Sequence, residues 1–147
     1  MVKARQLQRR LELAQEQVRL FQQISRLMSR DLGLQETLQG IVDLVHDHFR
    51  ADSCLLYLMD RDELVLCAIS PQRPGIVGRI RMRCGEGLTG WVAQQRRLVA
   101  ISRGAYNDPR SKLFGELPED RYEAILSVPV IARSRVVGVM NVQHQEP

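Results

Sequence analysis

The sequence predicts an α+β domain with a central, mainly antiparallel β-sheet. Two helical segments come first and strand patterns follow, which is the order typical of this class rather than of an alternating parallel fold. One short helical segment interrupts the strands, and the last two strands are separated by three polar residues, 133–135, as in a hairpin. With 147 residues, 44% of them hydrophobic, the chain has the length and composition of one globular domain.

The first helix is predicted over residues 3–30, because this segment contains no glycine or proline. Its apolar residues are spaced alternately by four and three positions, the period of a two-helix coiled coil. The globular body can cover this stripe only from about Leu20 onward, so a second copy of the chain is expected to cover the rest. This predicts a homodimer through residues 1–30, a signalling helix, with 31–147 as the globular domain. The expected dimer interface is Leu7, Leu11, Ala14, Val18 and Phe21.

Local patterns predict the remaining elements. A second helix is expected from Leu34 to Phe49, where apolar residues recur at i, i+3 and i+4. Two apolar segments joined by a short polar link predict a β-hairpin. A long polar stretch inside a domain this size is typical of a functional loop. The predicted strands are 53–59, 64–69, 79–83, 98–101, 124–132 and 136–143, the embedded helix is 88–95, and the loop is 102–120.

Charge, hydropathy and cysteines exclude several classes. Residues 1–30 carry a net charge of +5 and the other 117 residues a net charge of −1, so the body is not expected to bind nucleic acid. No apolar run approaches the ~18 residues that span a bilayer, so membrane insertion is not expected. Three cysteines without C-x-x-C spacing predict neither a disulfide framework nor a metal site, and favour a cytoplasmic protein.

The segment from Gly85 to Gly90 reads G-x-G-x-x-G, a pattern used by dinucleotide-binding folds. The preceding segment alternates arginine with apolar residues, unlike a buried parallel strand. Glu86 would also place a carboxylate beside the phosphates of a dinucleotide. The glycines are therefore interpreted as a tight turn between a strand and a helix, where positive φ is required.

Three motifs carry a family resemblance. Residues 85–93 (GEGLTGWVA) are similar to a signature of GAF domains, and 107–110 (NDPR) resemble a loop of the same family. Residues 127–130 (SVPV) and 137–142 (VGVMNV) resemble its closing hairpin. The chain thus resembles GAF domains of bacterial signalling proteins, above all that of nitrogen-type phosphotransferase-system enzyme I. The resemblance implies a GAF-like sheet with the N-terminal helices on one face and a helix-loop ligand cap on the other. The C-terminal helix usual in the family is expected to be missing.

The resemblance implies a regulatory sensory domain. Such a domain binds a small-molecule effector, dimerises, or does both, and so controls a fused signalling output. It is expected not to be an enzyme itself and to hold no resident cofactor. The effector pocket is expected between the embedded helix, the long loop and the sheet, with ligand-binding residues Thr89, Trp91, Tyr106, Asp108, Arg110, Phe114 and Ser127.

Two alternatives remain open. The first is a dimerisation and interaction scaffold that binds no ligand. The second is an enzyme similar to the GAF domains that reduce free methionine sulfoxide. Those enzymes resemble this chain but have a cysteine where Thr89 stands, whereas Cys84 lies five positions earlier. Because the chemistry needs a thiolate with resolving thiols nearby, the second alternative is the weaker one.

Overall fold

Helices occupy the first part of the chain and strands most of the rest. The computed structural model describes residues 2–28, 33–73, 75–110 and 122–147. These residues form a single six-stranded sheet with three α-helices and a short 3₁₀ helix at Ala105–Asn107. The helices are α1 (Val2–Met28), α2 (Leu34–Phe49) and α3 (Gly87–Gln95), and the strands are β1 (Ser53–Asp60), β2 (Glu63–Ser70), β3 (Arg81–Arg83), β4 (Val99–Ile101), β5 (Ala124–Ala132) and β6 (Arg135–His144).

The sheet is antiparallel at every pairing and has the order β3-β2-β1-β6-β5-β4. The hairpins β1–β2 and β5–β6 meet where β1 pairs with β6, with Cys54 opposite Val142. This pairing places β1 at the centre of the sheet, where it is buried on both faces. The prediction of an α+β fold with a mainly antiparallel sheet is therefore confirmed.

Each face of the sheet carries its own apolar core. Because side chains alternate along a strand, Leu55 and Tyr57 of β1 face one core while Cys54 and Leu56 face the other. The first core is completed by α3 and by Ala105 of the 3₁₀ helix, and the second by α2. The helices thus lie on opposite faces, as predicted.

Helix α2 begins and ends where its periodicity predicts. Its apolar stripe buries Val42 and Val45 against β1 and β2. The residue after the helix, Arg50, is its C-cap. It adopts the left-handed conformation (φ 50°) and donates its N–H to the Asp47 carbonyl at 3.3 Å. Two side-chain amides of α2 also cover the edge of β2: Gln35 donates to the Cys67 carbonyl at 2.6 Å and Gln39 to the Ile69 carbonyl at 2.8 Å.

Helix α1 extends beyond the body of the domain. Residues 2–19 are exposed along their whole length, and Leu20 and Ile24 are partly buried on the side that packs against α2. The predicted end of this helix, residues 29 and 30, lies outside the described residues. Within the part of the chain that is described, none of the helices is long and apolar enough to cross a membrane.

Strand β3 is shorter than its sequence pattern predicts. The alternation of arginine and apolar residues predicts a strand from Arg79, but β3 begins at Arg81. A turn takes the earlier residues: Gly78 has φ +84°, and Arg79 donates its N–H to the Ile76 carbonyl at 3.0 Å. Backbone geometry at the turn overrides the alternation of side chains.

Candidate functional site

The glycine motif makes a tight turn that starts α3. Gly85 and Gly87 have φ of +90° and +69°, a region that non-glycine residues rarely adopt. The turn closes when Gly85 donates its N–H to the Gly90 carbonyl at 2.8 Å. The carboxylate of Glu86, the N-cap residue of α3, accepts the Arg83 N–H at 2.8 Å. The G-x-G-x-x-G pattern therefore joins a strand to a helix, as the tight-turn interpretation predicts.

A buried chain of polar side chains connects α3 with β5 and β6. The Ser127 hydroxyl donates to Oδ1 of Asn141 at 2.6 Å, and Nδ2 of Asn141 donates to the Thr89 hydroxyl at 2.8 Å. All three residues are buried, and Asn141 is only 2% exposed. Because buried polar groups are costly without partners, these two hydrogen bonds fix the first turn of α3 on the sheet. We call these three residues the polar chain.

A second polar group lies between α3 and the loop after β4. The Arg110 guanidinium lies over the Trp91 ring, with its Cζ atom 4.5 Å from the ring centroid. Asp108 accepts three hydrogen bonds from Arg110, from the main-chain N–H, Nε and Nη2, each at 2.8 Å. These bonds lower the pKa of Asp108, and burial opposes this to a lesser degree. We call Trp91, Asp108 and Arg110 the clasp.

The loop that carries the clasp is attached to the residues before β5. The N–H of Gly104 donates to the Glu123 carboxylate at 2.7 Å, and that of Ala105 donates to the Glu123 carbonyl at 3.0 Å. Tyr106, on the 3₁₀ helix, donates its N–H to the Tyr122 carbonyl at 3.1 Å. The β4–β5 loop is thus held by main-chain bonds at its start and by the clasp at Arg110.

Six of the seven predicted ligand-binding residues fall into these groups. Thr89 and Ser127 belong to the polar chain, the clasp takes three more, and Tyr106 lies in the loop between its two attachments. Phe114 lies outside the described residues. Of the predicted residues, Thr89 and Ser127 thus bond to Asn141, and Asp108 bonds to Arg110.

A cavity of about 220 Å³ opens at the ends of β1, β2 and β6, and its lining includes none of the clasp residues. Its volume is below the ~300–1,000 Å³ typical of sites for drug-sized ligands. Sequence analysis missed this cavity because loops and strand ends distant in the chain form it. Its lining includes Ser53, Ile69, Pro71, Arg73 and Tyr122.

Sequence analysis also missed Asn141 and Glu123 as site residues. A signal for Asn141 exists, since it shares the inward face of β6 with Val139, and an inward polar side chain needs a partner. Glu123 has no comparable signal, because the Gly104 N–H that it caps lies in another segment.

The three thiols are in different environments. Cys54 is buried under α2, and burial, with a smaller effect of the Asp43 charge, raises its pKa to about 12. Cys67 is partly buried and its pKa is also raised, mainly by burial. Cys84 is exposed in the turn before α3. Among the described residues, no three His, Cys, Asp or Glu side chains are grouped closely enough to hold a metal ion.

Comparison with known structures finds GAF domains. The chain is 28% identical to the GAF domain of an Acinetobacter phosphoenolpyruvate-protein phosphotransferase, with a TM-score of 0.77 over 90% of this chain and 78% of that one. The corresponding domain from Coxiella burnetii is 27% identical, with a TM-score of 0.81 over 90% and 80%. A free methionine-R-sulfoxide reductase from Neisseria meningitidis, 20% identical, shares the fold with a TM-score of 0.69 over 86% of this chain and 71% of that one. No curated protein sequence matches the chain.

The family model for the GAF domain matches residues 33–147, from the residue before α2 to the end of the sequence given. The match includes the glycine turn, the clasp and the polar chain. Members of this family are generally regulatory sensory domains. The chain belongs to the GAF domain family.

Proposed function

We propose that this GAF domain is a regulatory sensor that pairs with a second copy through α1 and recognises a small-molecule effector on the α3 side of the sheet. In this way it controls a fused signalling output in the bacterial cytoplasm. The proposal depends on the apolar stripe of α1 that its own domain leaves exposed. Leu7, Leu11, Val18 and Phe21 all belong to it, and Phe21 is 73% exposed.

Helix α1 is apolar on two different sides. Leu20 and Ile24 turn toward α2, and at 100° per residue they lie roughly 130° around the helix from the centre of the exposed stripe. The domain therefore uses one side of α1 and leaves the other for a partner. A second copy suits it because the 4-3 spacing is the period at which identical helices pack side by side.

The residues that flank the stripe are compatible with a parallel pair. In a parallel coiled coil, Lys3 would face Gln8 of the other helix, Arg10 would face Gln15, and Gln17 would face Gln22. No pair of like charges meets along the seam in this arrangement. An isologous contact about a two-fold axis then closes the dimer, and both outputs leave on the same side.

Sensing and pairing are assigned to opposite faces of the sheet. Helix α2, which carries α1, packs on one face, and α3 with the clasp packs on the other. Strand β6 joins them, because Asn141 contacts α3 while Val142 belongs to the core under α2. A shift of α3 caused by an effector therefore has a direct route to the helices.

Sedimentation of the full chain tests the pairing. Val18→Glu places a charge on the exposed stripe and is expected to give monomers at tens of micromolar. Leu13→Glu is the matched control, because Leu13 and Val18 are both 55% exposed and Leu13 lies off the stripe. A wild-type chain that sediments as a monomer at low and high salt alike contradicts the proposal, as does equal dissociation by both variants.

The ligand-free scaffold is the second candidate, and one observation favours it. The polar chain and the clasp satisfy most of the groups that were expected to bind an effector. Thermal unfolding with candidate metabolites separates the two candidates, because a ligand that binds only the folded state raises Tm. A rise in Tm that Trp91→Ala abolishes supports the sensor.

An enzymatic role remains the weakest candidate. The fold is shared with methionine sulfoxide reductases. In this chain, however, Thr89 is a buried hydroxyl bonded to Asn141, and Cys54 is buried with a raised pKa, which disfavours the reactive thiolate. We expect no thiol-dependent turnover of free methionine sulfoxide, and turnover lost in Cys84→Ser would overturn this.

A further inference from the structure

The cavity at the ends of β1, β2 and β6 forms because the chain on either side of β1 extends past the first residue of that strand. After β2 the chain continues through Pro71 to Arg73, and after β6 it continues to Gln145. Tyr122, which precedes β5 and is 7% exposed, also lines the cavity. The volume of about 220 Å³ equals that of roughly seven water molecules in the liquid, so the cavity has room for a molecule of about that many heavy atoms.

Ser53 gives the cavity a buried hydroxyl, and none of the described residues bonds to it. The residue is 5% exposed and lies on the same face of β1 as Leu55, because side chains alternate along a strand. Two other lining residues, Ile69 and Tyr122, are buried as well. Buried polar groups almost always have a hydrogen-bond partner, so an unpaired hydroxyl at a cavity indicates a place for a water molecule or a ligand atom.

The two charged residues of the lining lie at different depths. Arg73 is partly buried, whereas Asp52 is exposed at the rim. One carboxylate oxygen of Asp52 already accepts the Gln145 N–H at 2.7 Å. A guanidinium has five N–H donors, so Arg73 can bind an anion and keep another partner. The inner part of the cavity therefore favours a negative charge, and the rim favours a hydrogen-bond donor.

We propose that this cavity is a binding site for a small hydroxycarboxylate. The carboxylate of the ligand accepts hydrogen bonds from the Ser53 hydroxyl and the Arg73 guanidinium, whose planar fork matches it. The ligand hydroxyl, at the other end, donates to the second oxygen of Asp52. Ile69 and Tyr122 cover the carbon atoms in between. The site is separate from the effector site proposed beside α3, because none of the described lining residues belongs to α3 or to the clasp.

Amide chemical shifts of the full chain, titrated with sodium lactate at constant ionic strength, test the site. Saturable shifts are expected at Ser53, Arg73 and Gln145. Ser53→Ala should weaken lactate binding on the order of tenfold, because it removes a hydrogen bond to a charged group. Arg73→Gln should weaken it at least as much. The matched control is Ser70→Ala, which should leave the affinity unchanged: both serines are 5% exposed, but Ser70 does not line the cavity.

Two analogues test the two ends of the ligand. Lactamide keeps the hydroxyl and lacks the negative charge, and propionate keeps the charge and lacks the hydroxyl, so both are expected to bind several-fold more weakly than lactate. Shifts that do not saturate, equal affinity for lactate and either analogue, or equal weakening by the two serine variants would overturn the proposal.

Thermal unfolding without ligand separates binding from folding. Ser53→Ala removes a buried hydroxyl that has no protein partner among the described residues, so it should not lower Tm. A larger loss of Tm in Ser53→Ala than in Ser70→Ala would show that the hydroxyl stabilises the fold, and would also count against the site.

Discussion

The side-chain amide of Asn141, on β6, donates a hydrogen bond of 2.8 Å to the hydroxyl of Thr89, in the first turn of α3. The oxygen of the same side chain accepts a hydrogen bond from the Ser127 hydroxyl, so one buried residue joins three elements. The residue after it, Val142, lies on the other face of the sheet under α2. Asn141 thus links the face assigned to sensing with the face that carries the N-terminal helices.

Asn141→Ala is expected to lower the free energy of unfolding by about 2–4 kcal/mol, because it leaves a cavity and two buried hydroxyls without their partner. Urea unfolding measures this loss. Gln143→Ala, two positions along the same strand and half-buried, is the control and should cost less than about 1 kcal/mol. A loss in Asn141→Ala no greater than in the control would contradict a structural role for the polar chain.

Gly90→Ala is expected to destabilise the fold by about 1–3 kcal/mol. A Cβ atom at Gly90 would lie 2.6 Å from the Arg83 carbonyl oxygen and 3.1 Å from the Gly85 nitrogen, and these main-chain atoms cannot rotate away. Gly33→Ala is the control, because a Cβ there meets nothing within 4 Å. Thermal unfolding should show a lower Tm for Gly90→Ala only; equal values for the two variants would show that the glycine turn tolerates a side chain.

The elements that follow from local patterns were predictable from the sequence. The stripe of α2 and the polar link between β1 and β2 are set by residues close together in the chain, and the structure has both. The polar chain joins Thr89 to Asn141 across 52 positions, so no local pattern pairs them. The clasp is intermediate: Asp108 and Arg110 are two positions apart, but only the fold brings Trp91 beneath them.

The contribution of Asp108 to stability should depend on pH. Its pKa in the folded protein lies below the usual value of ~3.9, chiefly because of the Arg110 side-chain hydrogen bonds. A lowered pKa stabilises the fold fully above the unfolded value, and this stabilisation is lost as the pH falls through the folded value. Urea unfolding of the wild type and Asp108→Asn should therefore differ most near neutral pH and converge in acid. A difference that stays constant or grows as the pH falls would show that the charge of Asp108 is not what stabilises the loop.

The three thiols should react with a disulfide reagent in order of exposure. Cys84 is exposed, Cys67 is partly buried, and Cys54 is buried with a pKa raised to about 12. At about pH 8 only about one Cys54 thiol in ten thousand would be thiolate, so its reaction waits for opening of the core beneath α2. Absorbance of the thiol released from the reagent should show one fast phase in the native protein. This phase should be lost in Cys84→Ser and retained in Cys67→Ser. In urea, all three thiols should react at the same fast rate. A fast phase that survives in a chain carrying both Cys84→Ser and Cys67→Ser would mean that Cys54 reacts readily, and that the core beneath α2 is less tightly closed than its burial indicates.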